Sequence, residues 1–175
     1  MKNITNELSA EHQNILKVIG IVMQECERLE SGAALNKPFF EDIVYFIRNY
    51  ADGFHHAKEE DILFKAMLGS NGQMHCNPIP VMLHEHDEGR RYVAGMISAL
   101  GHDQKEVLID NARGYCYLLH NHIFKEDNVL YPMAEEALSE EEKSAVENGY
   151  REVTLADFFG RDIETFIAKL NQKKD

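Results

Sequence analysis

Apolar residues recur at steps of three and four along almost the whole chain, and its 175 residues include only four prolines. The first segment shows the pattern clearly, with one helical face formed by Ile15, Ile19, Val22, Cys26 and Leu29. This spacing is typical of amphipathic helices, whereas a half-buried strand alternates every second residue. We therefore predict an all-α fold.

Capping residues and glycines divide the pattern into four long segments. The predicted helices lie at about 9–30, 38–69, 78–101 and 104–137. Long amphipathic helices joined by short connections favour an antiparallel four-helix bundle.

Further helices are expected after the bundle. A capping-box pattern at Ser139 begins a short fifth helix, and Thr154 precedes a last apolar helix. We expect a single domain over 1–175, with the bundle core at about 8–137 and a C-terminal helical extension at about 138–172. The apolar last helix can cover the core or form a homodimer contact.

The charge balance argues against two classes of partner. Lys and Arg total 18 against 30 Asp and Glu, so the formal net charge is −12. An acidic surface repels nucleic-acid phosphates and anionic membranes, so neither partner is expected.

No uninterrupted apolar run is long enough for a membrane span and no secretory leader is evident, so we expect a cytoplasmic protein. The three scattered cysteines indicate neither a disulfide framework nor a cysteine zinc site.

The most specific signal is a repeated motif. HHAKEEDILF begins at His55 and HIFKEDNVLY begins at His122. Both copies contain HxxKE, followed by an aliphatic residue, leucine and an aromatic residue. A further histidine precedes each copy, namely His12 in LSAEH and His86 in LHEH. The chain thus consists of two helical hairpins, each with the pattern H … HxxxE.

Helix geometry places this motif inside the protein. Residues i and i+4 share a helical face, so each histidine of an HxxxE pair lies beside its glutamate on the apolar seam. A bundle formed from these seams would bury near its axis His12, His55, Glu59, His86, His122 and Glu126. Two facing carboxylates in an apolar interior are costly, and a bound cation removes that cost. Nitrogen and oxygen donors without thiolates suit non-haem iron or manganese better than zinc or copper.

The order H … HxxxE … H … HxxxE resembles the hemerythrin-like (HHE cation-binding) domain family over roughly residues 8 to 137. The resemblance implies an up-down-up-down four-helix bundle around an oxo- or hydroxo-bridged di-iron centre. Two iron ions are then the expected cofactor, with manganese or zinc as weaker alternatives. Carried over position by position, the resemblance assigns as metal ligands His12, His55, Glu59, His86, His122 and Glu126, with both glutamates bridging.

The chain departs from the family's oxygen carriers in two places. Those proteins have a second histidine four residues along the third helix, where this chain has Arg90. They also end with an aspartate five residues after the last histidine. Asp127 has that spacing, but on a helix it lies about 140° from the histidine direction, against about 40° for Glu126. The residues that could replace or add to the predicted ligands are His56, Glu60 and Asp127.

The other histidines are expected outside this cluster. His84 and His120 each lie two residues from a candidate ligand, which turns them largely away from it on a helix. His75 and His102 fall in predicted connections.

A more anionic site than that of an oxygen carrier favours chemistry other than simple reversible oxygen transport. We expect a di-iron protein that binds or reduces a small ligand, either dioxygen, nitric oxide or peroxide. It could then act as a peroxide- or nitric-oxide-handling oxidoreductase. The alternatives are an iron or oxygen sensor or iron-storage protein without turnover, and a metal-free structural helical bundle.

Overall fold

Helices account for nearly all of the chain. The structure, a computed structural model, describes residues 3–70 and 76–172. Within these ranges the chain forms seven helices and no β-strand, which confirms the all-α prediction.

Two of the long helices are uninterrupted. Helix α1 spans Asn6–Glu30 and α3 spans Ile79–Gly101. Helix α1 begins three residues earlier than predicted, because Ser9 does not cap it and instead donates a hydrogen bond from its hydroxyl to Asp127.

The other two long helices contain wider, π-helical turns that the apolar spacing does not predict. Helix α2 covers 37–69, and its π-helical parts are Ile47–His56 and Glu59–Leu63. Helix α4 covers 105–137 and widens at Glu126–Leu130. In such turns the backbone bonds from i to i+5, and they often occur at functional sites. Both motif copies lie at or beside them.

Contacts between helices define their directions. At one end of α1, His12 contacts Asp127 of α4, and at the other Glu30 pairs with Arg113 near the start of α4. The two helices are therefore antiparallel. The remaining neighbours show the same arrangement through contacts between Glu7 and Lys58, Asn14 and Tyr50, Lys37 and Asp103, Glu60 and His86, Glu85 and Lys125, and Gly95 and Asn111.

The core has an apolar cluster on each side of a polar layer. The larger cluster includes Ile15, Phe54 and Val93, and the smaller includes Leu8 and Met82. The candidate histidines lie between these apolar positions along each long helix. These candidate side chains are therefore held between two apolar layers of packing.

The C-terminal residues form three short helices. Helix α5 spans Glu140–Glu152 and begins with the predicted capping box at Ser139. The single last helix predicted after Thr154 is wrong. The segment instead forms α6, Leu155–Phe158, and α7, Ile163–Gln172, because Gly160 adopts a left-handed conformation with φ of 60° between them.

Helix α7 buries its apolar face within the chain. Phe166, Ile167 and Leu170 join the larger cluster, and the helix contacts α1. These residues thus cover the core, while a homodimer through this helix remains a prediction. No helix of the described ranges is long and apolar enough to cross a lipid bilayer.

Phe159 is the main anchor of the C-terminal segment. It is fully buried and packs edge-on against Phe46 and Phe166. We expect Phe159→Ala to lower the free energy of unfolding by about 3–5 kcal/mol through cavity formation. The control Phe124→Ala removes the same kind of side chain from a position where it is 64% exposed. It should change the free energy of unfolding by less than about 0.5 kcal/mol. Urea unfolding monitored by circular dichroism measures both, and equal losses would contradict this packing role.

Candidate metal centre

Histidines and glutamates meet between the two apolar clusters. Among the described residues, two groups bring potential ligand atoms within 4.8 Å of one another, and every member is buried. The first group consists of His12, His55, Glu59 and Glu126. The second group consists of His56, Glu59, His86 and His122. The structure thus brings all six predicted residues together and adds His56.

Glu126 reaches both groups. Its Oε2 lies 3.3 Å from Nε2 of His12, and its Oε1 lies 3.0 Å from Nε2 of His122. Since the two oxygens point to different groups, Glu126 can bridge two cation positions.

Glu59 of α2 also lies between the two groups. Its Oε2 lies 3.6 Å from Nε2 of His55 and 3.5 Å from Nε2 of His86. Its Oε1 accepts a hydrogen bond of 2.6 Å from the Tyr131 hydroxyl, which also lies 3.3 Å from Nε2 of His12. Tyr131 thus fixes the orientation of this carboxylate.

Several oxygens at the centre lack partners. Within the described chain, Oε2 of Glu59 and both carboxylate oxygens of Glu126 are buried, and they accept no hydrogen bond while the histidines whose Nε2 atoms face them are neutral. Buried polar atoms are nearly always satisfied, and an unpaired one costs roughly 1–3 kcal/mol, or more for a charged group. These oxygens and the surrounding imidazoles form a donor set suited to cations.

Each histidine of the two groups also contacts an outer carboxylate through Nδ1. The pairs are His12 with Asp127 at 3.0 Å, His55 with Glu11 at 2.8 Å, His56 with Asp52 at 3.2 Å, His86 with Glu60 at 2.7 Å and His122 with Glu85 at 2.8 Å. A carboxylate only accepts, so Nδ1 carries the hydrogen. In the neutral histidine the lone pair then lies on Nε2, so that each histidine can bind a metal through Nε2.

Four of these outer carboxylates follow the order of the long helices. Each long helix supplies a carboxylate to a histidine of the next: Glu11 of α1 to His55 of α2, Glu60 of α2 to His86 of α3, Glu85 of α3 to His122 of α4, and Asp127 of α4 to His12 of α1. We call these contacts the carboxylate ring. The ring couples the rotation of each helix to that of its neighbour.

The lysine of each HxxKE copy supports the ring. Lys58 donates to Glu11 at 2.5 Å, and Lys125 pairs with Glu85. Lys58 is 1% exposed and its amine also lies 4.0 Å from the Phe54 ring centroid, whereas the side chain of Lys125 is 38% exposed. Each lysine therefore balances the carboxylate that orients the histidine of its own motif.

Arg90 takes no part as a ligand. It donates hydrogen bonds to Asp52 at 2.9 Å and to Glu60 at 2.7 Å. These carboxylates orient His56 and His86, whose rings stack with centroids 3.7 Å apart. The arginine thus holds in place the histidine pair of the second group.

The side chains of the centre strongly perturb one another. Burial and the adjacent Glu126 carboxylate raise the pKa of Glu59 well above its ordinary value. Burial would also raise the pKa of Glu126, but His122 and His12 hold it well below that value. For His12, burial opposes protonation, yet hydrogen bonds to Asp127 and Glu126 raise the pKa to about 10. The cation-free centre therefore retains protons where ligand lone pairs are needed.

The other sequence predictions can be placed directly. His84, His102 and His120 are exposed, while His75 lies outside the described residues. Glu60 and Asp127, the alternative ligands, contact Nδ1 atoms instead of joining either group.

Sequence reasoning missed the outer carboxylates Glu11, Asp52 and Glu85. A signal existed for two of them, because Glu11 and Glu85 directly precede His12 and His86. Their actual partners, however, belong to the next helix and cannot be identified from that adjacency.

Helical structure and clustered histidines and glutamates define this chain as an all-α protein with a potential metal centre. A family model described as the Hemerythrin HHE cation binding domain matches residues 3–134. The chain therefore belongs to that family, as the resemblance implied. No curated protein and no solved structure matched it.

Cation affinity should rise with pH. Protons on His12 and Glu59, whose pKa values are raised, must leave before these groups can bind a cation, so lower pH weakens binding. We expect about a tenfold gain in zinc affinity per pH unit for each proton released. Competition with a chromophoric chelator between pH 6 and 9, corrected for chelator protonation, measures this. A constant affinity would contradict the proton assignment.

Breaking one contact of the carboxylate ring should weaken the site without removing a ligand. Asp127→Asn places an amide against Nδ1 of His12, so we expect a roughly 10–100-fold loss of zinc affinity. Asp61→Asn changes an exposed carboxylate paired with Lys65 and serves as the matched control. Equal affinities of the two variants would show that the ring does not support the site.

Proposed function

We propose that this chain is an antiparallel four-helix bundle that holds two iron ions and binds or reduces a small ligand, either dioxygen, nitric oxide or peroxide. The cyclic contacts of α1 to α4 support the bundle. The unpaired, buried carboxylate oxygens of Glu59 and Glu126 between the two histidine groups are the observation that carries the metal proposal.

The charge around the site also favours bound cations. In the described chain, the five outer carboxylates and the two glutamates of the groups carry seven negative charges when ionised. The cations that pair with them are Lys58, Arg90 and Lys125. Lys58 and Arg90 also pair with Glu7 and Asp87, so carboxylates outnumber cations around the site and bound divalent ions would offset this excess. Protons balance part of this charge when no cation is bound.

Both groups fit iron by donor type. Neutral imidazole and carboxylate donors suit non-haem iron, and soft thiolates are absent from both groups. His12, His55, Glu59 and Glu126 would hold one ion. His56, His86 and His122 would hold the other, with Glu59 and Glu126 shared. Iron would supply the electrons and open coordination positions that the small ligand requires.

The chain's own residues prepare the site for that chemistry. The carboxylate ring fixes the tautomer and orientation of four imidazoles, and Asp52 does the same for His56. Apolar packing on both sides excludes water and strengthens electrostatic interactions at the centre. The Tyr131 hydroxyl oxygen lies 2.6 Å from Oε1 of Glu59 and directs its proton at that carboxylate.

Metal analysis of the purified protein, combined with optical spectroscopy, tests the proposal. We expect about two irons per chain and a near-ultraviolet spectrum that changes on reduction and on addition of nitric oxide or hydrogen peroxide. Turnover of peroxide or nitric oxide would identify an oxidoreductase. A reversible spectral change without turnover would instead identify a sensor, carrier or storage protein. An iron-free protein whose melting temperature ignores chelators would indicate the structural bundle and contradict the proposal.

Single ligand substitutions test the assigned residues. We expect His55→Ala or Glu126→Ala to reduce the iron content from about two to one or fewer per chain, since each removes a donor of the first group. His120→Ala removes an exposed histidine and should retain both. Inductively coupled plasma mass spectrometry gives the content, and circular dichroism confirms that the helices persist. Two irons in either ligand variant would refute its assignment.

A further inference from the structure

A cavity of about 200 Å³ adjoins the second group. It lies where α2, α3 and α4 meet, and its lining includes His56, His86 and His122. These are the histidines that the second group contributes, so the cavity leads directly to one candidate cation position.

The walls of this cavity are mainly apolar. The side chains that form them include Ile47, Val93, Tyr115, Leu118 and Leu119. Gly89 also lines it, and a methyl group at that position would meet the Tyr115 ring at 3.6 Å, an ordinary contact. The glycine therefore leaves room that a larger side chain would occupy.

Of the charged residues that line the cavity, Asp52, Glu85 and Arg90 are already paired, and Arg48 is exposed to solvent. Arg90 binds Asp52 and Glu60, and Glu85 binds both His122 and Lys125. Because these charges satisfy one another, they favour a neutral occupant over an anion or a cation.

The size indicates more than a diatomic molecule. An apolar protein cavity of about 150 Å³ is large enough to bind benzene. Dioxygen or nitric oxide, with two heavy atoms, would fill only a small part of this space. A single-ring hydrocarbon would contact most of the apolar wall.

We propose that this cavity binds a neutral apolar molecule of about the size of benzene or toluene, directly beside the second group. The proposal deepens the proposed function and rests on it, since it names a class of organic ligand for that side of the metal centre.

Toluene titration of the zinc-loaded protein tests the inference. Zinc is redox-inert and diamagnetic, so methyl resonances can be followed by NMR, and the zinc content is measured on the same sample. We expect saturable shifts at the methyl groups of Val93, Leu118 and Leu119. Absence of such shifts in protein containing two zinc ions would overturn the cavity proposal alone. Shifts in protein that takes up neither zinc nor iron would support the cavity and contradict the metal proposal.

Matched glycine substitutions locate the binding. Gly89→Leu should fill the cavity and weaken toluene binding at least tenfold. The control Gly20→Leu should leave binding unchanged. Gly20 lies on an exposed face of α1, and a methyl group added there would contact nothing within 4 Å among the described residues. If Gly89→Leu fails to fold, Gly89→Ala adds only an ordinary contact and should weaken binding about threefold. Unchanged binding in the folded Gly89 variant would refute the site.

Benzoate provides the charge test. It has the same ring as toluene with a carboxylate, and we expect it to bind at least tenfold more weakly. Tighter binding of benzoate would overturn the neutral-ligand assignment and indicate recognition by Arg48, an exposed residue of the same lining.

Discussion

The hydrogen bond between an imidazole Nδ1 and a carboxylate of the neighbouring helix is the contact on which the rest of this structure depends. It acts on both partners, since it sets the tautomer of the histidine and the rotation of two helices at once. Through Glu11, Glu60, Glu85 and Asp127 the contact passes from each long helix to the next and returns to the first. Apolar packing alone tolerates small helix rotations, whereas these directional contacts tolerate far less. The helix packing and the candidate metal centre are therefore specified by the same side chains.

The repeated HxxKE motif acquires a physical meaning from this arrangement. Its histidine and glutamate face the centre, and its lysine balances the outer carboxylate that orients that histidine. The conspicuous acidity of the chain is thus partly concentrated around the centre. Two hairpins with the same motif can supply equivalent halves of one site, which explains why the ligands recur at matching helical positions.

Much of this was predictable from the sequence. Apolar spacing fixes the long helices because their seams are uninterrupted, and the i, i+4 rule places Glu59 and Glu126 beside their histidines. The π-helical turns were not predictable, since a widened turn results from tertiary contacts and leaves no distinct apolar period. The sequence predicts His56 only as an alternative ligand, because an ideal helix turns it about 100° from His55. The outer carboxylates depend on helix register, which a single sequence does not determine.

The two supporting lysines differ in their surroundings. Lys58 is enclosed by protein on the side of the first group, whereas Lys125 is accessible to solvent on the side of the second. For a bound ion to be released, solvent must enter the site and replace the ion's ligands one by one. If the centre holds two ions as proposed, the ion on the side supported by Lys58 would therefore exchange slowly and persist through dilution. The half supported by Lys125 would equilibrate faster with the surrounding metal pool, so loading and loss would occur there first.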